Sequence, residues 1–371
     1  MNIPIWSYVT MPNIEDLPSR VDHEHYSSAL GAADFIAAHH DDEGSYKVSE
    51  HWGPEGEIYR AICVWALLDA YKFSGKPEYL DKSRIILERF TKRQRKSGGW
   101  TISLGSDGMK FKITDEDRSD SESSEDPVIA GAVLKAIVDY QTITNNNEFK
   151  EMGDKAFDYL MTLWDSNIGT INENRDRHLS ALRSNPDAYH FLILLGFDAW
   201  ANAGSKQAKE LMPQIVGFVK NTYENFDSET MPLMIGYHVA VLTKFCPLEY
   251  SLNYIKPKLD AYMEKGLFSS NDIPGGYGHH DGLRGIVTDE LHMRSGIGLA
   301  YALKAYDLNT GENVYQNSKW YSDLCGWIDS MKNDDGSYYE YQTAVDEKKY
   351  GKGSAGQYLV VLWILGTLLN K

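Results

Sequence analysis

The sequence predicts an all-α fold, an (α/α)6 toroid of six helical hairpins with an inner and an outer ring. Three patterns predict it: helical periodicity along nearly the whole chain, an alternation in connection length, and an alternation in helix character. Apolar spacing marks helices near 24–40, 56–74, 77–96, 127–144, 147–164, 187–203, 206–224, 231–245, 249–266, 289–308, 311–332 and 353–370. Strand signals are scarce, and short strands are expected only inside the longer connections.

Connections alternate between short turns, such as Ser74–Gly75–Lys76 and Cys246–Pro247–Leu248, and longer segments at 41–55, 97–126, 165–186, 225–230, 267–288 and 333–352. Helices entered from the long segments are almost wholly apolar, as in "AICVWALLDA", "IAGAVLKAIV", "FLILLGFDAW" and "YLVVLWILGTLL". Those entered from short turns are amphipathic, as in "PEYLDKSRIILERFTKRQRK". A helix that is apolar all round is buried, whereas an amphipathic one lies at a surface. A glycine turn repeats after five outer helices, at Gly44, Gly99, Gly169, Gly276 and Gly336. Such repetition marks stacked or ring-closed units. The lack of polar end repeats favours a closed ring over an open solenoid. The expectation is one domain over residues 1–371.

If every long connection follows an outer helix, all six leave one end of the barrel, where the inner helices begin. That mouth collects helix N-termini with unpaired N–H groups, and loops on a rigid scaffold are where function concentrates. One connection stands out. "GGYGHHDGLRGIVTDELHMRSG", Gly275 to Gly296, holds three histidines, two arginines and three acids.

Bulk properties narrow the function. The net charge of −16 argues against nucleic acid and anionic membranes as partners. The three cysteines, Cys63, Cys246 and Cys325, are scattered through apolar helical runs and read as buried small side chains. The first twenty residues lack the features of a signal peptide. The expectation is a cytoplasmic chain as written, or a secreted or periplasmic one if a signal was removed. The apolar run from Tyr358 to Leu369 is too short to span a bilayer.

Four inner helices carry an acid beside the first turn. Each such acid has two readings. It caps the helix, as "SSEDP" around Asp126 and "SNPDAY" around Asp187 would allow, or it acts across the mouth as one of an acid–base pair. Asp126 and Asp187 open consecutive inner helices and are the candidate catalytic pair, with Glu55, Glu57, Asp289 and Glu290 in reserve.

The candidate binding set is Arg177, His190, His279, His280, Arg284, His292 and Arg294, since arginine suits a planar carboxylate. Its alternative is ordinary surface pairing with nearby acids. Trp52, Trp100 and Tyr338 are candidate sugar platforms, with plain packing under the loops as the other reading. "GHHDG" has no third ligand at metal spacing, so no metal and no cofactor are expected. The expected partner is a small-molecule or oligosaccharide substrate. The sequence does not fix the oligomeric state.

The order of these features resembles the six-hairpin glycosidases, most of all the unsaturated glucuronyl and rhamnogalacturonyl hydrolases. "GEIYRAICVWALLDAYKFSGKPEYLDKSRIILERF", "EDPVIAGAVLKAIVDYQTITNNNEF", "NPDAYHFLILLGF" and "HMRSGIGLAYAL" carry the likeness. It implies acid-catalysed hydration of an unsaturated uronic acid, with Asp187 as general acid and base and Asp126 as its partner. An alternative in the same cleft is a polysaccharide lyase or uronyl epimerase. There an Arg or His would neutralise the carboxylate while Tyr189, His190 or His279 removes the C5 proton. "FIAAHHDDEGSY", "RFTKRQRKSGGW" and "WIDSMKNDDGSY" also resemble the QW repeats of squalene–hopene cyclase and prenyltransferase toroids. Their Asp-x-Asp-Asp acid motif is replaced here by "SSEDP". A toroid that only binds a glycan or a protein is the remaining class.

Overall fold

In the computed structural model, the residues described are 23–42, 57–100, 125–172, 189–281, 284–352 and 354–365. Two helical rings are present. The inner ring is α2 (Glu57–Ser74), α4 (Pro127–Thr144), α6 (His190–Asn202), α8 (Pro232–Phe245), α11 (Met293–Thr310) and α13 (Ser354–Leu365). The outer ring is α1 (His23–His39), α3 (Pro77–Arg93), α5 (Lys150–Thr162), α7 (Lys206–Glu224), the broken helix α9 (Leu248–Tyr250) with α10 (Lys256–Lys265), and α12 (Lys319–Ser330). Each inner helix packs on the next, and α13 returns to α2 to close the ring, with α1 laid against both. The (α/α)6 toroid expected from the sequence is therefore the fold observed.

The inner helices explain the closure. From Ala61 to Leu68, and again from Val128 to Leu134, every side chain is buried. Burying each large apolar side chain is worth about 1.5–3 kcal/mol, and a helix with no polar face gains this only when surrounded. Among the described residues, no helix is long and apolar enough to cross a membrane.

Short strands sit only in the long connections. They form the hairpins β1 (Trp164–Asp165) with β2 (Thr170–Ile171) and β3 (His279–Asp281) with β4 (Gly285–Val287). A three-stranded sheet orders β5 (Glu290–His292), β6 (Tyr341–Thr343) and β7 (Lys349–Tyr350), all antiparallel. This sheet ties the connection entering α11 to the one entering α13.

Three of the departures from the expected helices have a clear local reason. The fifth inner helix begins at Met293 and not at 289, because Glu290, Leu291 and His292 pair with Thr343, Gln342 and Tyr341. The helix expected over 311–332 begins at Lys319. There the Asp307 carboxylate accepts the backbone N–H groups of Val314 (3.1 Å), Tyr315 (2.9 Å) and Gln316 (2.8 Å), holding that segment as a loop. Side-chain capture of this kind competes with helix. The helix expected over 249–266 contains a π turn, Ser251–Ile255, just before Pro257. Proline lacks the donor and crowds the carbonyl four residues back, and a π turn accommodates both effects.

Buried charges fasten the hairpins. The Glu57 carboxylate lies 3.0 Å from Arg60 on its own helix, and 3.0 Å from Arg93 and 3.4 Å from Arg89 on α3. The Lys304 ammonium donates to the Trp363 and Ile364 carbonyls at 2.5 and 2.8 Å, holding α11 to the last turn of α13.

Burial alone would raise the Glu57 pKa, but the charges of Arg60, Arg89 and Arg93 outweigh it and set the group below its ordinary value. A carboxyl group depressed in the folded state stabilises the fold above its unfolded pKa, and that stability is lost as pH falls through the folded value. Glu57→Gln is therefore expected to cost about 3–5 kcal/mol near neutral pH, because it leaves buried arginines uncompensated. Denaturant titrations at neutral and acidic pH should show the gap between wild type and variant narrowing as pH falls.

Candidate functional site

The mouth is assembled from four inner-helix starts and the connection before α13. Arg294 stands in the first turn of α11. Its Nη1 donates to the Tyr59 hydroxyl of α2 at 3.1 Å, and its guanidinium carbon lies 5.7 Å from the Tyr59 ring centre. Its Nε is 3.0 Å from Oε1 of Glu340, a carboxylate 3% exposed. Tyr59 stacks on Tyr358 of α13 at 6.2 Å, and Tyr358 hydrogen-bonds Tyr237 of α8. Arg294 thus sits where the first, fourth, fifth and sixth repeats converge.

Next to it is a pair of imidazoles. The His292 ring centre is 5.6 Å from His279 and 4.5 Å from Tyr341, whose ring stands edge-on to it. His292 caps α11: its Nδ1 accepts the Arg294 backbone N–H at 3.2 Å. That nitrogen therefore carries no proton, so the proton of the neutral ring is on Nε2, which donates to the Tyr341 hydroxyl at 3.0 Å. Burial, with the charge of Arg294 and the neighbouring His279, holds the His292 pKa well below its ordinary value. His279 is half-buried in β3, and its Nδ1 is enclosed with no hydrogen-bond partner among the described residues.

Glu340 holds the proton on Arg294 while balancing its charge. Burial would weaken the hold of Arg294 on its proton, but Glu340 more than reverses this and raises the pKa. Tyr341 is pushed above the ordinary phenol range, chiefly by burial and against the pull of Arg294.

Not all the expected site residues join this cluster. Asp126 is 1% exposed, and its carboxylate accepts the Val128 N–H at 3.0 Å as the cap of α4, the capping alternative read from "SSEDP". Its backbone N–H bonds the Trp100 carbonyl. Its expected partner Asp187 lies outside the described residues, as do Trp52, Arg177 and Glu55.

His190 is buried between α6 and α7, with Nδ1 3.1 Å from the Thr170 hydroxyl and its ring 4.8 Å from Phe218. His280 is exposed, and Arg284 is exposed beside Glu290 at 3.4 Å. Glu57 is held by its three arginines.

Trp100 and Tyr338 need correction as sugar platforms. Each follows a turn glycine and plugs the base of its loop. The Trp100 indole donates to the Phe90 carbonyl at 2.8 Å with its ring against Phe90. Tyr338 is fully buried, and Gln357 holds its backbone by both its N–H and its carbonyl. The repeated glycine turn has a packing purpose: at Gly336 φ is +83°, and an added Cβ would come within 3.2 Å of the Gly31 Cα. Neither aromatic has a face to offer a ligand.

Sequence reasoning missed Tyr59, Glu340 and Tyr358 as neighbours of Arg294. Tyr59 lies two positions from the reserve acid Glu57, and Glu340 lies inside the alternating run "SYYEYQT", a strand signal left unused. Among the described residues, no three His, Cys, Asp or Glu side chains are grouped to hold a metal.

No family model matches the chain, and no curated protein matches it by sequence. Solved structures do match. A D-mannose isomerase superposes with a TM-score of 0.66 at 11% identity, covering 94% of this chain and 99% of that one. The cellobiose 2-epimerase from Spirochaeta thermophila DSM 6192 gives 0.65 at 12%, covering 93% and 96%. A glycosidase variant in complex with glucose gives 0.57 at 13%, covering 94% and 100%. The likeness is one of fold. It spans nearly the whole of each partner, so the toroid described above is the common unit.

Two outcomes follow from the geometry. Asp126→Asn is expected to melt close to wild type, since Asn caps as well as Asp, whereas Asp126→Ala should lose about 1 kcal/mol; calorimetry on the pair checks this. Nitrogen-15 spectra of the imidazoles should show His292 as the neutral Nε2–H tautomer through the ordinary histidine range. An imidazolium signal from His292 near pH 6.5 would contradict the assignment.

Proposed function

We propose that the protein is a carbohydrate-active enzyme of the isomerase or epimerase type, moving a proton at a sugar carbon beside the carbonyl. The observation that carries this reading is the His279–His292–Tyr341–Arg294 cluster at the mouth. The named neighbours support it: two are a D-mannose isomerase and a cellobiose 2-epimerase. The hydrolase expectation rested on Asp126 and Asp187 as a pair, and the capping role of Asp126 draws support away from it.

The chemistry balances with protons alone. In the open-chain sugar, His279 takes the proton from C2, and the electron pair of the C–H bond passes through C1 to the carbonyl oxygen. Arg294 and the Tyr59 hydroxyl are the donors that stabilise the oxygen as it gains charge, the role of fixed dipoles in a dry site. Returning the proton to C1, while the O2 hydroxyl proton passes to O1, gives the ketose. Returning it to C2 after rotation about the C2–C3 bond has turned the opposite face toward His279 gives the epimer, with the electron pair on O1 restoring the C1 carbonyl. His292, with both nitrogens engaged, orients Tyr341 and does not exchange a proton with substrate.

The test is deuterium entry in heavy water, followed by NMR, at C2 of D-mannose, of D-glucose and of the reducing glucose of cellobiose, and at C1 of D-fructose. Exchange is expected with at least one sugar, falling by about 10²–10⁴-fold in His279→Asn and persisting in Asp126→Asn. Absence of exchange, with loss of ultraviolet absorbance from an unsaturated uronyl disaccharide, would restore the hydrolase reading. Turnover of a prenyl diphosphate alone would replace the carbohydrate reading altogether.

A further inference from the structure

Arg294 was expected from sequence to receive a substrate carboxylate, yet a carboxylate of the chain itself occupies that position. Glu340 Oε1 lies 3.0 Å from Arg294 Nε, and the side chain is almost wholly buried. The backbone fixes it there: the Glu340 carbonyl accepts the Met293 N–H at 2.8 Å, and its N–H bonds the Gly351 carbonyl at 3.0 Å. The Nη1 of Arg294 is spent on Tyr59 at 3.1 Å. The other groups that act on Arg294, Tyr59, Tyr341 and Tyr358, are phenols. Glu340 is therefore the negative charge that answers Arg294 among the described residues.

We infer that Glu340 is a specificity-determining residue: by neutralising Arg294 it makes the mouth accept an uncharged sugar and reject the corresponding sugar acid. This rests on the carbohydrate reading above. A ligand carboxylate approaching Arg294 meets a like charge 3.0 Å from the same guanidinium, and displacing Glu340 would strand a buried carboxylate. A sugar hydroxyl, being uncharged, can accept a guanidinium N–H without opposing Glu340, because guanidinium carries five N–H donors. Discrimination thus comes from a repulsive element built into the site.

The experiment is calorimetric binding of D-glucitol and D-gluconate to wild type, Glu340→Gln and Glu340→Asp, with formate as a minimal carboxylate in a parallel melting series. Wild type should prefer glucitol. Glu340→Gln should shift the ratio toward gluconate by at least about tenfold, the factor that one charge-assisted hydrogen bond supplies. Glu340→Asp, which keeps the charge, should retain the wild-type preference. Formate should raise the Tm of Glu340→Gln and leave wild type unchanged, a readout that works in a weakened fold.

Gluconate bound by wild type as tightly as glucitol, or a ratio unmoved in Glu340→Gln, overturns the inference. If wild type binds neither polyol, the carbohydrate reading fails and the formate series decides the role of Glu340. Stabilisation of Glu340→Gln alone upholds it, and equal effects on both proteins overturn it.

Discussion

The organisation of this protein depends on one constraint: six inner helices with almost no solvent face must begin somewhere, and their first N–H groups need acceptors. Buried helices cannot leave them to water in the barrel wall. The connections therefore bring oxygen and nitrogen acceptors to one end. Asp126 caps α4, the His292 imidazole caps α11, and the Glu340 carbonyl takes the Met293 N–H. The polar character of the mouth is thus first a requirement of the fold, and the proposed chemistry uses groups already placed by it. His292 shows the overlap: the bond that ends a strand and starts a helix also selects the tautomer of its ring.

Much of the ring was legible in the sequence because its signals are local. The period of "AICVWALLDA" and the length alternation of the loops needed no knowledge of distant contacts. Boundaries failed where a side chain overrode the period, as when Asp307 gathered three N–H groups and delayed α12 to Lys319. The glycine turns carry left-handed backbone at Gly169 and Gly336, but the aromatics after Gly99 and Gly336 were read too generously. Trp100 and Tyr338 sit where a packing plug is required, and an exposed platform and a buried plug have the same sequence signature.

The site was only half legible, for a different reason. His279, His292 and Arg294 were visible as an excess of ionisable residues in one connection. Their partners were not, since Arg294 meets Tyr59 across 235 positions of sequence and Glu340 from another repeat. Ring closure creates these meetings, and no local pattern encodes them. An arginine read alone invites an anion; with Glu340 beside it, the same residue presents directional N–H donors and little net charge.

The π turn at Ser251–Ile255 has a bearing on how such a chain can change in length. A π turn is equivalent to one extra residue absorbed within a helical turn. In the outer ring α10 after the turn still buries Leu259, Tyr262 and Met263. In an inner helix, one added residue would swing everything after it by about 100°, moving buried faces out of the wall. An added residue therefore costs less in the outer ring than in an inner helix, where it would disturb the arrangement around the central axis.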